Sequence, residues 1–263
     1  MITEVAQRWA NGTARWVPHR EVFRPQDFEV MSNAPYPDIR SFVEKHHYSK
    51  CWPAQRRRFG LYRKGGALVG AVVFSAPMHP AVLRPFTMQT GLELGRLVLL
   101  DDVPFNAESW LIAECFHRLR QEGFEGVVSY SDPEPRTTLD GHVVFTGHIG
   151  GIYCATNGVY TGRIGKSTLR LLPDGSVYSA RTIAKVQTRD SGWNYGVDIL
   201  CTHGASRPPP NADLRVWLAE WLPRLTRRLQ HGGNHRYSWA IDRRARKLLP
   251  KSLPYPKFSH PHT

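Results

Sequence analysis

The sequence predicts an α+β or α/β protein built on one mixed β-sheet. Short apolar runs of strand length alternate with segments whose apolar residues recur at helical spacing. Ala67–Ser75 is nearly continuous in apolar residues, which indicates a strand in the middle of the sheet, and Leu92–Leu100 is another apolar, β-rich run. Hydrophobic residues make up 41% of the 263 residues, enough to bury the core that such a layered fold needs.

The predicted elements follow one another as strand, helix, two strands, a long strand, a long helix, a strand, a helix and a strand. Pro37 marks the start of the first helix, and Gly65-Gly66 the turn of a hairpin. Asn106 is predicted to N-cap the long helix and Gly123 to end it. Strands are predicted at Asp27–Ser32, Arg58–Arg63, Ala67–Ser75, Leu92–Leu100, Glu125–Ser131 and Val159–Arg163, and helices at Pro37–Lys45, Asn106–Gln121 and within Gly147–Asn157.

The pattern weakens after Lys166. A turn sequence, Pro173-Asp174-Gly175, predicts a hairpin there. The predicted hairpin strands are Leu169–Leu172 and Ser176–Tyr178, and the predicted helices are Ser179–Gln187 and Asn211–Leu222. Residues 1–26 have no clear period and are expected to lie over the domain.

The chain is strongly basic, with 35 Lys and Arg against 22 Asp and Glu and a formal net charge of +13. Residues 50–64 hold six basic side chains and no acidic one, and residues 215–251 hold ten against two. Such clusters favour contact with nucleic acid, although a solvated surface is the alternative. The candidate DNA contacts are Lys50, Trp52, Arg56, Arg57 and Arg58 in the first cluster and Arg227, Arg228 and Arg236 in the second.

Other classes of protein are disfavoured by composition. No apolar run approaches the length of a membrane span, and the charged residues Glu4 and Arg8 stand where a signal peptide would be apolar. The four cysteines are widely spaced without a CxxC pair, which argues against a zinc ribbon or a dense disulfide framework. We therefore expect a soluble protein of the cytoplasm, with no membrane partner.

Two short polar groups follow predicted elements. His46-His47-Tyr48-Ser49 ends the first helix, where one imidazole can act as a base or bind a metal. Because adjacent helical side chains diverge by about 100°, both histidines cannot easily serve one site; a surface pair at the helix end is the alternative. Asp132 follows the strand ending at Ser131 and either points into a cleft or forms an Asx-turn.

A third group, Gly147–Gly162, combines many small residues with phenols. Glycine density lets a backbone approach a ligand, and Tyr153 or Tyr160 can act as an acid or stack on a base. Half-buried core aromatics are the alternative. A fourth group, the turn Asp101–Ser109, precedes the long helix, whose first N–H groups attract anions, although no GxGxxG or P-loop is present.

Together these groups resemble a known family. The order of elements is similar to the GNAT acetyltransferase fold, in which the strand Leu92–Leu100 would splay from Glu125–Ser131 to admit a pantetheine arm. HHYS, ELGRLVLLD, SYSD and GHIGGIYCATNGVYTG resemble the Mom family of phage proteins over roughly residues 27–200, and GNHRYSWAID resembles its closing strand. Those proteins convert adenine in DNA to N6-methylcarbamoyl (acetamido) adenine, which protects the DNA from restriction.

The resemblance implies a role for each matched residue. The implied catalytic residues are His47, Tyr48, Ser49, Ser131, Asp132, Tyr153, Asn157 and Tyr160. The implied acetyl-CoA contacts are Arg96, Leu97, Val98, Val103, Asn106, Glu108 and Ser109. His47, Tyr48 and Asp132 are the implied ligands of an iron ion. One departure concerns the cofactor: PFNAES stands where acetyltransferases carry a Gly-rich pyrophosphate loop.

The resemblance also divides the chain. It implies an N-terminal arm at 1–26, a GNAT-like catalytic core at 27–164, an insertion at 165–233, and a closing strand with a basic, Pro-rich tail at 234–263. The insertion, with Arg181 and Lys185, is expected to form a lid or clamp on double-stranded DNA. Because adenine N6 is reached by base flipping, Tyr48, Tyr153 and Trp52 are expected to stack on the base.

The predicted reaction places a requirement on the donor, and two other functions are alternatives to it. A methylcarbamoyl group attaches through its methyl carbon, so acyl transfer from acetyl-CoA alone cannot make it, and a redox step or a glycine-derived donor is required. The first rival is a conventional acetyl-CoA-dependent N-acetyltransferase acting on a small amine or protein. The second is a non-catalytic DNA-binding protein on a GNAT fold. The sequence leaves a homodimer open and predicts no other protein partner.

Overall fold

A seven-stranded mixed sheet forms the first of two compact units. The computed structural model describes residues 22–257, together with the backbone of residues 5–10 and 13–18. The elements are β1 (Val5–Ala10), β2 (Thr13–Pro18), β3 (Phe28–Ser32), α1 (Tyr36–His46), β4 (Gln55–Arg63), β5 (Leu68–Ser75), β6 (Gly91–Leu99), α2 (Ala107–Gln121), β7 (Gly126–Ser131), β8 (Arg136–Thr137), β9 (Val143–Phe145), α3 (Gly151–Ala155), β10 (Val159–Ile164), β11 (Ser167–Leu171), α4 (Ala180–Thr188), α5 (Trp193–Thr202), α6 (Leu214–Leu225), β12 (Arg227–His231), β13 (Asn234–Ala240) and α7 (Arg243–Leu248).

The sheet has the order β10-β13-β7-β6-β5-β4-β3. The pairs from β3 to β6 are antiparallel, as is β13 with β7, whereas β6 and β7 are parallel. This arrangement confirms the predicted α+β class with one mixed sheet. Among the described residues, no helix is long and apolar enough to cross a membrane.

The parallel pair at the centre of the sheet is incomplete. β6 and β7 are in register only from Gly91 and Gly126 to Glu93 and Val128, although both strands continue. A bulge at Gly95 lies just beyond this ladder, because Phe74 of β5 pairs with Leu94 and Val73 pairs with Arg96. The predicted splay between these strands is therefore present, and it opens toward their carboxyl ends.

Helices cover both faces of the sheet. α1 buries Ile39, Phe42 and Val43 against one face, and α2 buries Leu111 and Leu119 in the core on the other. The beginning of α2 differs from the prediction: Asn106 has φ 72° and makes no side-chain cap bond. An N-cap side chain accepts a helical N–H from the extended region, which a left-handed residue does not occupy.

The second unit comprises residues 134–147 and 164–233 and has its own core, which includes Tyr178, Leu200 and Trp217. It therefore takes residues 134–147 from the segment assigned above to the catalytic core. The turn at Asp174 is present, with Asp174 Oδ1 accepting a hydrogen bond from Ser176 N–H. The predicted hairpin is present in short form: Leu171 and Val177 form an antiparallel bridge, Leu172 N–H donates to the carbonyl oxygen of Ser176, and Tyr178 N–H donates to that of Arg170. The pairing of β11 with β12 was not predicted.

Helix bounds in the second unit also differ from the prediction. The helix expected from Asn211 begins at Leu214, because Asp213 caps it through a bond from Arg215 N–H. α5 was not predicted. Of residues 1–21, only the backbone of the β1–β2 hairpin is described. Glu4, the side chain of Arg8 and the end of the Pro-rich tail, residues 258–263, lie outside the described residues.

Candidate active site

The point where β6 and β7 separate is held by a side chain. Ser129 of β7 is fully buried, and its Oγ donates a hydrogen bond of 2.9 Å to the carbonyl oxygen of Leu94. This bond stands one residue beyond the last ladder pair, Glu93 and Val128. We call the wedge beyond it, between Leu94–Leu99 and Ser129–Ser131, the splay cleft.

Glu93 lies at the inner end of the splay cleft. Its Oε2 is buried and has no hydrogen-bond partner among the described residues. Burial raises the pKa of the Glu93 carboxyl, while the nearby Arg96 and the Met78 backbone oppose that rise. A carboxylate held in this way binds a proton more tightly than a solvated one, as a general base requires.

Arg96 is fixed at the mouth of the same wedge. Its Nε donates to the carbonyl oxygen of Cys51 at 3.1 Å, and its Nη2 donates to Cys51 Sγ at 2.9 Å. These bonds tie β6 to the loop between α1 and β4. The guanidinium thus stays beside Glu93, where it supplies a fixed positive charge.

His47 ends α1 and turns into the interior. It is 5% exposed, and its Nδ1 accepts a hydrogen bond of 3.1 Å from Ser49 N–H and lies 2.9 Å from Ser49 Oγ. The Ser49 N–H bond requires the lone pair on Nδ1, so the ring proton sits on Nε2. Burial, followed by the charges of Arg96 and His148, holds the pKa of His47 well below its usual range.

His46 takes another direction. Its ring lies 4.7 Å from the ring of Phe42, measured between centroids. Only one of the two adjacent histidines therefore faces the site, as their helical divergence predicted. His47 is a neutral hydrogen-bond donor at Nε2, and Ser49 is the residue that orients it.

A row of rings continues from His47 across the site. The centroid of His47 is 4.3 Å from that of Tyr48, Tyr48 is 5.7 Å from His148, and His148 is 6.5 Å from Tyr153. His148 N–H donates to the carbonyl oxygen of Asp132 at 2.8 Å. This bond brings the loop before α3 to the end of β7.

His148 was part of a predicted motif but was not predicted as a site residue. Burial lowers the pKa of His148 to about 4, against the opposing charge of Asp132. Its imidazole is consequently neutral at physiological pH. Asp132 therefore lies beside a neutral ring, in the region where the sequence placed a catalytic carboxylate.

Tyr153 lies inside the core next to this row. Its ring is 5.3 Å from Tyr237 and 5.5 Å from Trp239. Burial raises the pKa of the Tyr153 phenol, and a hydrogen bond with Ser129 partly offsets the rise. The phenol thus keeps its proton and connects the splay point to the aromatic row.

Two predicted catalytic residues lie farther along the core. Tyr160 Oη is 2.7 Å from His235 Nδ1, and both side chains are buried. Asn157 follows α3 with φ 58°, and its N–H bonds to the carbonyl oxygen of Cys154. This placement is that of a core aromatic for Tyr160 and of a helix-end turn for Asn157.

The glycines of the same motif approach protein rings. A Cβ on Gly150, where φ is +78°, would lie 2.6 Å from Tyr153 Cδ2, and one on Gly158 would lie 2.8 Å from Trp239 Cζ2. Substituents at these positions would displace the aromatic core. The small residues at these two positions therefore serve internal packing, whereas the sequence suggested an approach to a ligand.

A comparison with known families settles where the chain belongs. The model of the Mom protein family matches residues 30–257. The chain belongs to the Mom protein family. This membership confirms the resemblance predicted from the motifs and supports a role in phage DNA modification.

Other comparisons add little to the family assignment. No curated protein matches this Mom family member. Its fold is similar to a solved tandem GNAT protein from the clavulanic acid biosynthesis pathway, in a structure without AcCoA, with a TM-score of 0.35 and 12% sequence identity. That match covers 56% of this chain and 48% of the other, so this chain spans about half the length of that relative.

The predicted iron ligands, His47, Tyr48 and Asp132, stay a prediction. Within residues 22–257 there is no group of three or more His, Cys, Asp or Glu side chains that could hold a metal ion. Moreover, the Nδ1 of His47 is engaged by Ser49. Those four residue types do not include the tyrosine of the predicted set, and we derive no step through a metal.

The predicted acetyl-CoA residues are split between surface and core. Val98 and Val103 are buried, while Leu97 packs against the main core. The side of β6 that faces the splay cleft has no strand partner beyond Glu93, although the carbonyl oxygens of Leu94 and Gly95 already accept bonds from Ser129 Oγ and Arg96 Nη1. In the turn before α2, Ser109 Oγ bonds to the carbonyl oxygen of Asn106, and Glu108 lies in the first helical turn.

Several predicted DNA contacts in the first basic cluster are engaged with the protein. Arg57 forms an ion pair with Glu122. Arg58 donates to the carbonyl oxygen of Ala34 and lies over the Tyr36 ring. Trp52 packs edge-on against Tyr36, whereas Lys50 and Arg56 are exposed.

The predicted DNA contacts outside that cluster also fall into two groups, those bonded to the protein and those exposed to solvent. Arg236 donates to Thr161 Oγ1 at 2.7 Å, Lys185 to the carbonyl oxygen of Ser191, and Arg227 to Thr137. Arg181 and Arg228 are exposed. DNA contact stays a prediction for all of them, and exposure favours the last two.

Proposed function

We propose that this protein is a DNA-modifying transferase that converts adenine to N6-methylcarbamoyl adenine in double-stranded DNA and thereby protects that DNA from restriction. Membership of the Mom family supports the DNA target. The observation that carries the chemistry is the set of buried proton-handling groups at the splay cleft: Glu93, His47, His148 and Tyr153.

Glu93 is the proposed general base. The exocyclic amine of adenine must lose a proton when its nitrogen forms a new bond to carbon, and a carboxylate with a raised pKa accepts that proton well. In the balanced step, N6 forms a bond to a donor carbon that carries a leaving group, the bond from that carbon to the leaving group breaks, and the N6 proton passes to Glu93. The methyl carbon of acetyl-CoA itself carries only hydrogens, so this step takes a related donor that is already activated at that carbon. Before the reaction, the positive charge of Arg96 stabilises the Glu93 carboxylate.

His47 and Tyr153 are the proposed hydrogen-bond donors. The tautomer fixed by Ser49 presents Nε2–H, and the buried Tyr153 phenol retains its proton. Donors held by the fold stabilise negative charge that develops on a bound substrate without the cost of reorienting solvent.

Tyr48 is the best placed of the three stacking candidates. It is half-buried between His47 and His148. Trp52 already packs against Tyr36, and Tyr153 is enclosed by other rings. A flipped adenine would therefore stack on Tyr48.

The donor is proposed to be acetyl-CoA or a related molecule, bound along the open side of β6. Acetyl-CoA by itself lacks the amide nitrogen of the product, so a nitrogen source or a glycine-derived group completes the donor. The chain's own role is to hold that arm beside Glu93 and to exclude water.

The direct test is a measurement of the product. The full-length protein is expressed with plasmid DNA, the DNA is digested to nucleosides, and deoxyadenosine is analysed by mass spectrometry. A gain of about 57 Da, one hydrogen replaced by CH2CONH2, is expected on the flipped base. A gain of about 42 Da on a protein or amine, with unmodified deoxyadenosine, would indicate a conventional acetyltransferase and contradict the proposal.

A further inference from the structure

The two-stranded ribbon β11–β12 in the second unit has two different faces. Its antiparallel register pairs Thr168 with Gln230 and Arg170 with Arg228, and Leu169 with Leu229 between them. Because side chains alternate along a strand, the first four residues share one face of the ribbon. We call this the ribbon face: Thr168, Arg170, Arg228 and Gln230.

Burial confirms the division between the faces. Thr168, Arg228 and Gln230 are exposed, and Arg170 is half-buried. On the other face, Leu171 and His231 are buried. The ribbon is thus anchored by one side in its own unit and presents its polar side to solvent.

The charges of the ribbon face are uncompensated within the ribbon. The segments 164–171 and 226–233 contain four Lys and Arg residues and no Asp or Glu. Arg170 and Arg228 stand directly opposite each other in the register. Like charges in that position destabilise an antiparallel pair, so a bound anion would relieve a repulsion that the isolated ribbon carries.

The arginines of the ribbon differ in their hydrogen bonds. Arg227 points to the other face and donates to Thr137 at 2.6 Å and 2.8 Å. No residue within the described range accepts a hydrogen bond from the Arg228 side chain. Arg170 makes one such bond, of 3.3 Å, to Thr226 Oγ1. Arg227 is therefore structural, whereas Arg228 is exposed and the half-buried Arg170 makes a single side-chain hydrogen bond among the described residues.

We propose that the ribbon face docks into a groove of double-stranded DNA, with Arg170 and Arg228 on phosphates and Thr168 and Gln230 toward base edges. This inference rests on the proposed function, in which DNA is the substrate. Five residues of strand span about 17 Å, and the major groove of B-DNA, about 12 Å wide, admits a two-stranded ribbon. Arginine suits phosphate, and Thr and Gln carry the donors and acceptors that base edges match.

The Thr168 and Gln230 pair favours a duplex over a smaller anion. Thr168 Oγ1 lies 3.2 Å from Gln230 Oε1 and donates to it, which directs the Gln230 amide nitrogen outward. A cofactor phosphate would need a concave, enclosed site, whereas three of the four residues of this face are exposed. A-form RNA has a deep, narrow major groove that excludes a ribbon, so a duplex of RNA should bind more weakly.

The test measures duplex binding by the full-length protein as a function of salt. Arg170→Gln and Arg228→Gln are each expected to weaken binding of a labelled DNA duplex and to lower the slope of log K against log salt by about 1. Arg215→Gln is the matched control, because Arg215 is exposed on α6 of the same unit and loses the same charge. Equal effects of Arg228→Gln and Arg215→Gln would overturn the proposal, as would equal affinity for an RNA duplex.

Stability separates a binding role from a structural one. Since Arg228→Gln removes a like-charge pair, the unfolding temperature is expected to stay the same or rise. A lower unfolding temperature together with weaker binding would assign Arg228 to structure and contradict the proposal. If the wild-type protein leaves adenine unmodified but Arg228→Gln still loses duplex affinity selectively, the ribbon inference stands and the proposed function fails.

Discussion

Glu93 and His47 show how burial sets the protonation of single residues at the splay cleft. Burial raises the pKa of the carboxyl and lowers that of the imidazole, so the protein disfavours charge on both. The nearby Arg96 opposes the shift at Glu93 and adds to the shift at His47. The result is a base and a neutral donor that both feel the charge of one guanidinium.

Glu93→Gln is expected to lower the rate of DNA modification by about 10²- to 10⁴-fold, since the amide cannot accept the N6 proton. Duplex binding should be unchanged. In the wild type, the rate should fall as pH drops through the raised pKa of Glu93, because only the carboxylate is a base. Product mass and the pH profile check this, with Glu29→Gln on the exposed side of β3 as the control.

The same substitution has an opposite effect on stability. An acid whose folded pKa is raised binds more protons in the folded state, so its contribution to the free energy of unfolding falls as pH rises. Glu93→Gln should therefore increase the unfolding free energy at neutral pH, measured by denaturant titration. A loss of both stability and activity would assign Glu93 to structure.

His148 and His47 predict sensitivity to acid. Their folded pKa values are lowered, to about 4 for His148, so their stabilising contribution is complete above the unfolded pKa and is lost as pH falls toward the folded one. Between about pH 6.5 and 4, His148 alone should remove roughly 3 kcal/mol. His148→Gln should flatten the dependence of unfolding free energy on pH, whereas the exposed His117→Gln should leave it unchanged.

At the scale of elements, the end of β7 shows two buried serines with different surroundings. Ser129 and Ser131 are both fully buried, two residues apart. Ser129 Oγ bonds to the Leu94 carbonyl, while Ser131 Oγ has no hydrogen-bond partner among the residues described. The first hydroxyl replaces the sheet hydrogen bonding that is lost where the strands separate; the second has no such role.

Ser129→Ala and Ser131→Ala form a matched pair of variants. Ser129→Ala leaves a buried carbonyl without its bond and should cost about 1 to 3 kcal/mol of unfolding free energy. Ser131→Ala removes an unsatisfied hydroxyl and should be neutral or stabilising. Thermal unfolding and product mass are the measurements. If Ser131→Ala abolishes modification without loss of stability, its predicted catalytic role is supported; equal costs of the two variants would contradict this reading of the splay.

At the scale of the whole molecule, the charge of +13 is not one uniform surface. Within the first basic cluster, Arg57 is paired with Glu122 and Arg58 with backbone carbonyls, whereas Arg56 is exposed. The number of arginines in the sequence therefore exceeds the number available to a polyanion.

Arg56→Gln is expected to lower the salt slope of duplex binding by about 1, as one phosphate contact requires. Arg57→Gln, the adjacent control, should leave the slope unchanged and reduce the unfolding free energy by less than about 1 kcal/mol, because its ion pair is partly exposed. Binding titrations over a range of salt concentrations check both. The reverse order of slopes would show that Arg57 leaves Glu122 to bind DNA.

Much of the fold followed from local patterns, since apolar periodicity predicted β3 to β7 and the helices α1 and α2. The pairing of β11 with β12 did not, because these strands are separated by about 55 residues and register depends on contacts between distant segments. At the site, the motifs predicted His47, Tyr48 and Asp132. Glu93 and His148 lie within the same motifs but were not predicted as site residues.

The sequence alone determined the family, the α+β class and the two basic clusters, because each depends on residue identity and spacing along the chain. Only the tertiary structure decided which polar groups lose their solvent. Folding buries Glu93, which raises its pKa, and places Arg228 directly opposite the like charge of Arg170. Burial and cross-strand pairing are properties of distances in space, which the linear pattern does not contain.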